Sequence, residues 1–176
     1  FRHIPKFVDR ILDAPWLIRR ATARGIEISP QALGALTVSM LKGTAGNQRK
    51  EVKRLTKWLV NDIKPSVVIL SNLLIGGCIT AIRQHDIPVI VTLQGDDLFL
   101  QDLLEPYKSQ ALKLMRNLAK EADGFIVQSK FYQDAMSDLF EIPKSKIQVV
   151  PLGLDLEALP APQPRSTSDP RTIGYL

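Results

Sequence analysis

Gln94-Gly95-Asp96-Asp97 is the segment of this chain best equipped for chemistry. A carboxamide both donates and accepts hydrogen bonds, and ionised carboxylates accept them, so Gln94, Asp96 and Asp97 suit the recognition of hydroxyl groups. Gly95 lets the backbone turn sharply between them. All four are candidate site residues. The same residue types also favour ordinary turns on conformational grounds. What raises this turn above others is its place, directly after the apolar run Pro88-Val89-Ile90-Val91-Thr92-Leu93. No metal site is expected there, because the chain has no Asp-x-Asp triplet and adjacent carboxylates alone are weak ligands for a divalent cation.

Three other apolar runs end in the same way. Ser66-Val67-Val68-Ile69-Leu70 gives way to Ser71-Asn72, Gly124-Phe125-Ile126-Val127 to Gln128-Ser129, and Lys146-Ile147-Gln148-Val149-Val150 to Pro151-Leu152-Gly153-Leu154-Asp155. Ser71, Asn72 and Ser129 read as helix caps that can also face a ligand. Gly153 reads as a backbone turn that also shapes a site. The two histidines are poor catalytic candidates, since His85 precedes a strand at the opposite edge and His3 lies at the start of the chain.

Helical patterns separate the four runs, so the runs should be parallel strands joined by right-handed crossovers. In such sheets ligands bind beyond the carboxyl ends of the strands. The fold class is therefore α/β, a Rossmann-like parallel sheet with helices on both faces, preceded by helices. Residues 4–24 have a mixed helical pattern broken by Pro5 and Pro15. Ser29-Pro30 is a helix start, and Leu33, Leu36, Thr37, Met40 and Leu41 share one face of the helix that follows. A second helix, about 48–63, should turn Val52, Leu55, Leu59, Val60 and Ile63 inward. An apolar helix over about 73–84 contains Gly76-Gly77, which allows close approach. A short irregular turn follows Asp97, and Pro106 opens a long helix with Tyr107, Ala111, Met115, Leu118 and Ala122 inside. Ser129 caps a last helix whose inner face is Tyr132, Ala135, Met136, Leu139 and Phe140. Residues 1–157 form one domain, 158–170 a Pro- and Ser-rich linker, and 171–176 an opening strand.

The 176 residues are enough for a real core, and 45% hydrophobic with 23% charged residues suits a globular domain. One cysteine, Cys78, excludes an internal disulfide and a Cys-rich metal site and fits a reducing compartment. No apolar stretch approaches the roughly 20 residues of a membrane span. The chain starts at Phe1 and stops in a strand pattern, so it is expected to be a piece of a longer protein. No glycine-rich loop follows a first strand, which fits loss of an amino-terminal part.

The order PVIVTLQGDD, EADGFIVQSKFYQDAM, IPKSKIQVVPLGLD, a Pro-rich linker and TIGYL resembles the amino-terminal domain of family-4 retaining glycosyltransferases. Residues 65–176 carry the resemblance, and 1–64 fit only loosely. It implies a two-domain GT-B architecture, with a sugar passing from a nucleotide-sugar donor to an acceptor in the cleft between two Rossmann-like domains. It implies no cofactor and no resident metal. The family's paired glutamates would lie in the second domain, so the isolated piece is expected to be inactive. It also implies that Gln94, where many members have histidine, and Asp96 lie nearest the reacting atoms, that Gly95 and Asp97 bind substrate, and that Asp155 is a structural or hinge residue. Glutamine is neither an acid nor a base at neutral pH, so its part would be hydrogen bonding. Two other readings stay open: a non-catalytic flavodoxin-like domain that binds a small ligand, and a GT-B sugar-nucleotide epimerase.

Charge is uneven. Residues 1–65 hold 13 Lys/Arg against 5 Asp/Glu, and the remainder 10 against 13. Arg49, Lys50, Lys53, Arg54 and Lys57 crowd one helix. They are either a solvated face or a surface for an anionic membrane, where each cation adds roughly 1 kcal/mol. Nucleic acid is not expected, for lack of interleaved aromatics. The corresponding location is cytoplasmic, or peripheral at the inner membrane face.

Overall fold

The computed structural model describes residues 29–153. The helical pattern of 4–24, the linker 158–170, the strand 171–176 and Asp155 lie outside the described residues.

Chain order is α1 (Pro30–Leu41), a 3-10 turn (Gly43–Ala45), α2 (Arg49–Trp58), β1 (Val68–Leu70), a 3-10 segment (Leu73–Cys78), α3 (Ile79–Arg83), β2 (Val89–Thr92), α4 (Asp96–Gln101), α5 (Tyr107–Glu121), β3 (Gly124–Val127), α6 (Lys130–Phe140), a 3-10 turn (Lys144–Lys146) and β4 (Ile147–Val149). The four strands form one sheet in the order β1-β2-β3-β4. Every pairing is parallel, with Leu70 opposite Val91, Thr92 opposite Ile126 and Val127 opposite Val149. The expected α/β class and parallel sheet are thus present.

Each step to the next strand goes the same way, so right-handed crossovers place all three connections on one face of the sheet. Burial follows that arrangement. Leu70, Val89, Val91, Phe125, Val127 and Ile147 point into the helical layer and are buried. Their neighbours Ile69, Ile90, Thr92, Ile126 and Gln148 are partly or fully exposed, Ile69 at 60%. The helices expected on both faces therefore cover one of them among the described residues. On the covered face Ile79, Ile82, Ala111, Met115, Met136 and Phe140 complete the core with almost no exposure.

Local differences have local causes. The apolar helix expected at about 73–84 is split into a 3-10 segment and a short α-helix. There Gly77 meets the end of α1 so closely that a Cβ would stand 2.0 Å from the Met40 carbonyl oxygen. Gly43, at φ +53°, would place a Cβ 1.8 Å from the Gly77 carbonyl oxygen. Close approach at Gly77 is thus what the fold requires, since no side chain fits between these backbones. In α1 the buried residues are Gly34, Thr37, Val38 and Leu41, while Leu33 and Leu36 are exposed. The glycine side of the helix faces inward, so close to α5 that a Cβ on Gly34 would lie 2.5 Å from the Tyr107 ring. In α2, Val52 and Leu59 are buried as expected, but Leu55 and Ile63 are exposed. The helix widens into a π-helical turn at Leu59–Ile63 and ends at Lys64 in a left-handed conformation, which rotates Ile63 out of the core stripe.

Candidate functional site

Parallel strands in register deliver their following residues to one edge of the sheet. Ser71 and Asn72 follow β1, Leu93 and Gln94 follow β2, Gln128 and Ser129 follow β3, and Val150 to Gly153 follow β4. Cross-strand bonding continues past the strand ends, since the Leu93 N–H donates to the Ile126 carbonyl at 2.9 Å and the Val150 N–H to the Val127 carbonyl at 2.8 Å. The result is a rim along the carboxyl ends of β1 to β4.

Asp96 ties that rim together. It is fully buried, and it stands first in α4, a short helix where an irregular turn was expected. One carboxylate oxygen accepts from the Leu73 N–H at 2.8 Å, and the other from the Gln94 N–H at 3.1 Å. The first bond joins the segment after β1 to the segment after β2, across 23 residues of sequence. Burial pushes the carboxyl above its ordinary value, and the backbone N–H groups around it pull the other way with less effect.

Gly95 takes a left-handed conformation at φ +78°, with open space where a Cβ would be. Its N–H donates to the Tyr132 hydroxyl at 2.8 Å. That hydroxyl donates in turn to the Asp97 carboxylate at 2.6 Å. Tyr132 is thereby fully committed, and its pKa is raised, first by burial and then by the adjacent Asp97 carboxylate. Tyr132 was expected only as a core residue of α6. Its hydroxyl joins the turn after β2 to the helix after β3, and the signal available in the sequence was its position three residues after the Ser129 cap.

Asn72 and Ser129 are caps as their residue types suggested, whereas Ser71, one position before Asn72, caps no helix. Asn72 Oδ1 accepts from the Ile75 N–H at 3.2 Å, and Ser129 Oγ from the Tyr132 N–H at 3.1 Å. Gln94, Ser71 and Gly153 are exposed, and Gly95 and Asp97 are half-buried. The rim thus presents an exposed carboxamide, a left-handed glycine and capped helix starts to solvent, above a buried carboxylate that holds two of its loops. Hydroxyl-rich ligands suit such a surface, because it offers donors and acceptors in fixed positions. His85 stands at the other edge of the sheet, before β2, as expected. Among the described residues no three His, Cys, Asp or Glu side chains gather as a metal would require. Cys78 is buried, which pushes its thiol up.

Compared with known protein families, residues 36–158 match the model of Glycosyltransferase Family 4. The chain belongs to that family. The match covers well over half of the chain and begins within α1, further towards the amino terminus than the motifs alone suggested. Comparison with curated proteins and with solved structures gave no match. Membership in family 4 makes this a glycosyltransferase-type domain, a transferase that handles a sugar donor and an acceptor. Among the described residues no helix is long and apolar enough to cross a membrane.

Proposed function

We propose that this domain is the acceptor-side half of a two-domain enzyme that moves a sugar from a nucleotide-sugar to an acceptor with retention, needing no cofactor and no resident metal. The observation that carries the reading is the clamped turn after β2. Asp96 from below and Tyr132 from the side fix Gly95, while the Gln94 carboxamide remains exposed on the rim.

Each residue then has a role that its chemistry allows. Gln94 hydrogen-bonds hydroxyls of the transferred sugar or acceptor. Asp97, half-buried and polarised by Tyr132, accepts from an acceptor hydroxyl with its remaining lone pairs. Asp96 and Tyr132 are positioning residues, because their polar atoms are turned to the protein. Ser71, Asn72, Ser129 and Gly153 line the floor. In a retaining transfer without a protein base, the donor's departing phosphate takes the proton of the incoming hydroxyl, and the rim supplies alignment. The paired donor domain would hold the nucleotide, so this half alone is expected to show no turnover.

The test uses the full-length enzyme with a labelled nucleotide-sugar. Transfer of label to an acceptor supports the reading, an isomerised sugar-nucleotide favours an epimerase, and binding without turnover favours a ligand-sensing domain. Gln94→Ala should raise KM or lower kcat at least tenfold without changing stability. Unaltered kinetics would remove the rim from the chemistry.

The basic helix supports a second contact. Leu55 and Trp58 are exposed on α2, Trp58 at 50%, beside Arg54 and Lys57. Cations flanking exposed apolar side chains are what an interfacial helix presents to an anionic membrane. Arg49, Lys50, Lys53, Arg54 and Lys57 would supply the charge. Sedimentation with vesicles of rising anionic lipid content tests this, and binding indifferent to that content would refute it.

A further inference from the structure

At the amino edge of the sheet, opposite the rim, α2 and the end of α3 line an open, solvent-facing cavity of about 380 Å³. Besides Thr44 and Thr56, its polar lining is Lys53, Lys57, Asn61, Gln84 and His85, and among the described residues no carboxylate lines it. Lys53, Lys57 and Asn61 recur at every fourth position, which stacks them on one side of α2 and the turn that continues it. Gln84 and His85 come from the turn after α3. Val60 and Ala81 supply an apolar floor.

The side chains of Lys53, Lys57, Asn61, Gln84 and His85 make no hydrogen bond or ion pair with other described residues. Three cations elsewhere in the fold pair with carboxylates. Arg83 pairs with Asp123 at 3.2 Å, Arg116 with Glu141 at 2.9 Å and Lys144 with Asp134 at 2.6 Å. Two lysines one helical turn apart that have no partner among the described residues, a histidine and two carboxamides on one concavity offer the charge and donors that suit a tetrahedral anion.

We propose that this cavity binds a phosphate-bearing ligand, with Lys53 and Lys57 holding the phosphate and Asn61, Gln84 and His85 contacting its remaining oxygens and its organic body. The volume exceeds what inorganic phosphate fills and falls in the range of small-molecule pockets, about 300–1,000 Å³. The site therefore takes a phosphate carried on a small polar body, either a soluble phosphomonoester or the headgroup of a phospholipid. It does not depend on the reading of the rim.

The test titrates the full chain with glycerol 3-phosphate while amide resonances and calorimetry are followed. Shifts confined to Lys53, Lys57, Asn61, Gln84 and His85 are expected. Each lysine removed should weaken binding about tenfold, so Lys53→Gln with Lys57→Gln weakens it about a hundredfold. Lys113→Gln with Lys120→Gln, which removes as much charge elsewhere, should leave it unchanged. Vesicles containing phosphatidic acid separate the sources: capture by these vesicles without binding of glycerol 3-phosphate assigns the ligand to a lipid, and the reverse assigns it to a soluble metabolite. The proposal is overturned if glycerol 3-phosphate shifts none of these residues and phosphatidic acid vesicles are captured no better than vesicles of matched charge that lack a phosphomonoester, or if the two double variants bind equally.

Discussion

The rim and the cavity lie at opposite edges of one sheet and treat their polar groups in opposite ways. On the rim, Asp96 has both oxygens bonded to backbone N–H groups, and the Tyr132 hydroxyl accepts from one partner and donates to another. In the cavity, the lysines, carboxamides and His85 find no partner among the described residues. Buried polar groups must be satisfied, so a saturated carboxylate in the interior holds loops in place. Solvated groups gathered in a concavity carry no such obligation and are available to a ligand. The lesson concerns how to weigh a charged residue. Asp96 has the residue type of a catalytic group and the surroundings of a structural one. Lys53 and Lys57 have the residue type of a solvated face and the surroundings of a site.

Removing saturated groups should therefore damage folding, and removing unsatisfied ones should not. The largest effect is expected for Asp96→Ala, which leaves the N–H groups of Leu73 and Gln94 without acceptors. At about 1–3 kcal/mol for each buried donor orphaned, chemical denaturation should show a loss of about 2–6 kcal/mol. A variant as stable as wild type would mean that water replaces the carboxylate and that the rim is looser than described.

Tyr132→Phe takes away the acceptor of Gly95 and the donor to Asp97 together. A loss of about 1–3 kcal/mol is expected, along with lower kcat in the full-length enzyme, because the turn carrying Gln94 is no longer fixed. Gly95→Ala isolates the backbone contribution. Its Cβ would enter open space, so the cost is conformational alone, about 1–2 kcal/mol for an L-residue held left-handed.

Acidity sharpens the same contrast. Burial raises the folded-state pKa of Asp96 above its unfolded value, so the folded state binds a proton more tightly in the interval between the two. Stability contributed by this group therefore rises as pH falls through that interval and is lost as pH increases. Measured against Asp96→Asn, which does not titrate, wild type should gain relative stability on acidification. A difference that is flat with pH would show that the carboxyl titrates alike in both states.

The smallest effect belongs to the cavity. Lys53→Gln with Lys57→Gln should alter stability by no more than about 0.5 kcal/mol in thermal unfolding, since exposed side chains away from caps and core rarely contribute more. A larger loss would place these lysines in the architecture rather than in a site.

Much of this molecule could be read from local pattern. Apolar runs closed by Ser71-Asn72, Gln94-Gly95, Gln128-Ser129 and Pro151 to Gly153 announced parallel strands and the order of the rim, because strand period and turn residues are properties of neighbouring positions. Cap residues were legible for the same reason, and Asn72 and Ser129 accept from N–H groups only three residues ahead. The inward stripes of α1 and α2 were read less well. Leu33, Leu36, Leu55 and Ile63 have the residue type and spacing of core positions, yet the approach of Gly34 to Tyr107 and the π-helical turn after Trp58 rotate other residues inward.

From sequence alone came the α/β alternation, the four strands and the edge on which polar residues would gather, since each depends on what lies within a few residues. Tertiary structure alone decided which of two adjacent aspartates is enclosed, that Tyr132 belongs to the rim, and that Lys53 and Lys57 share a cavity with His85. Those outcomes join positions 23 to 37 residues apart, or more, and depend on which groups packing removes from water.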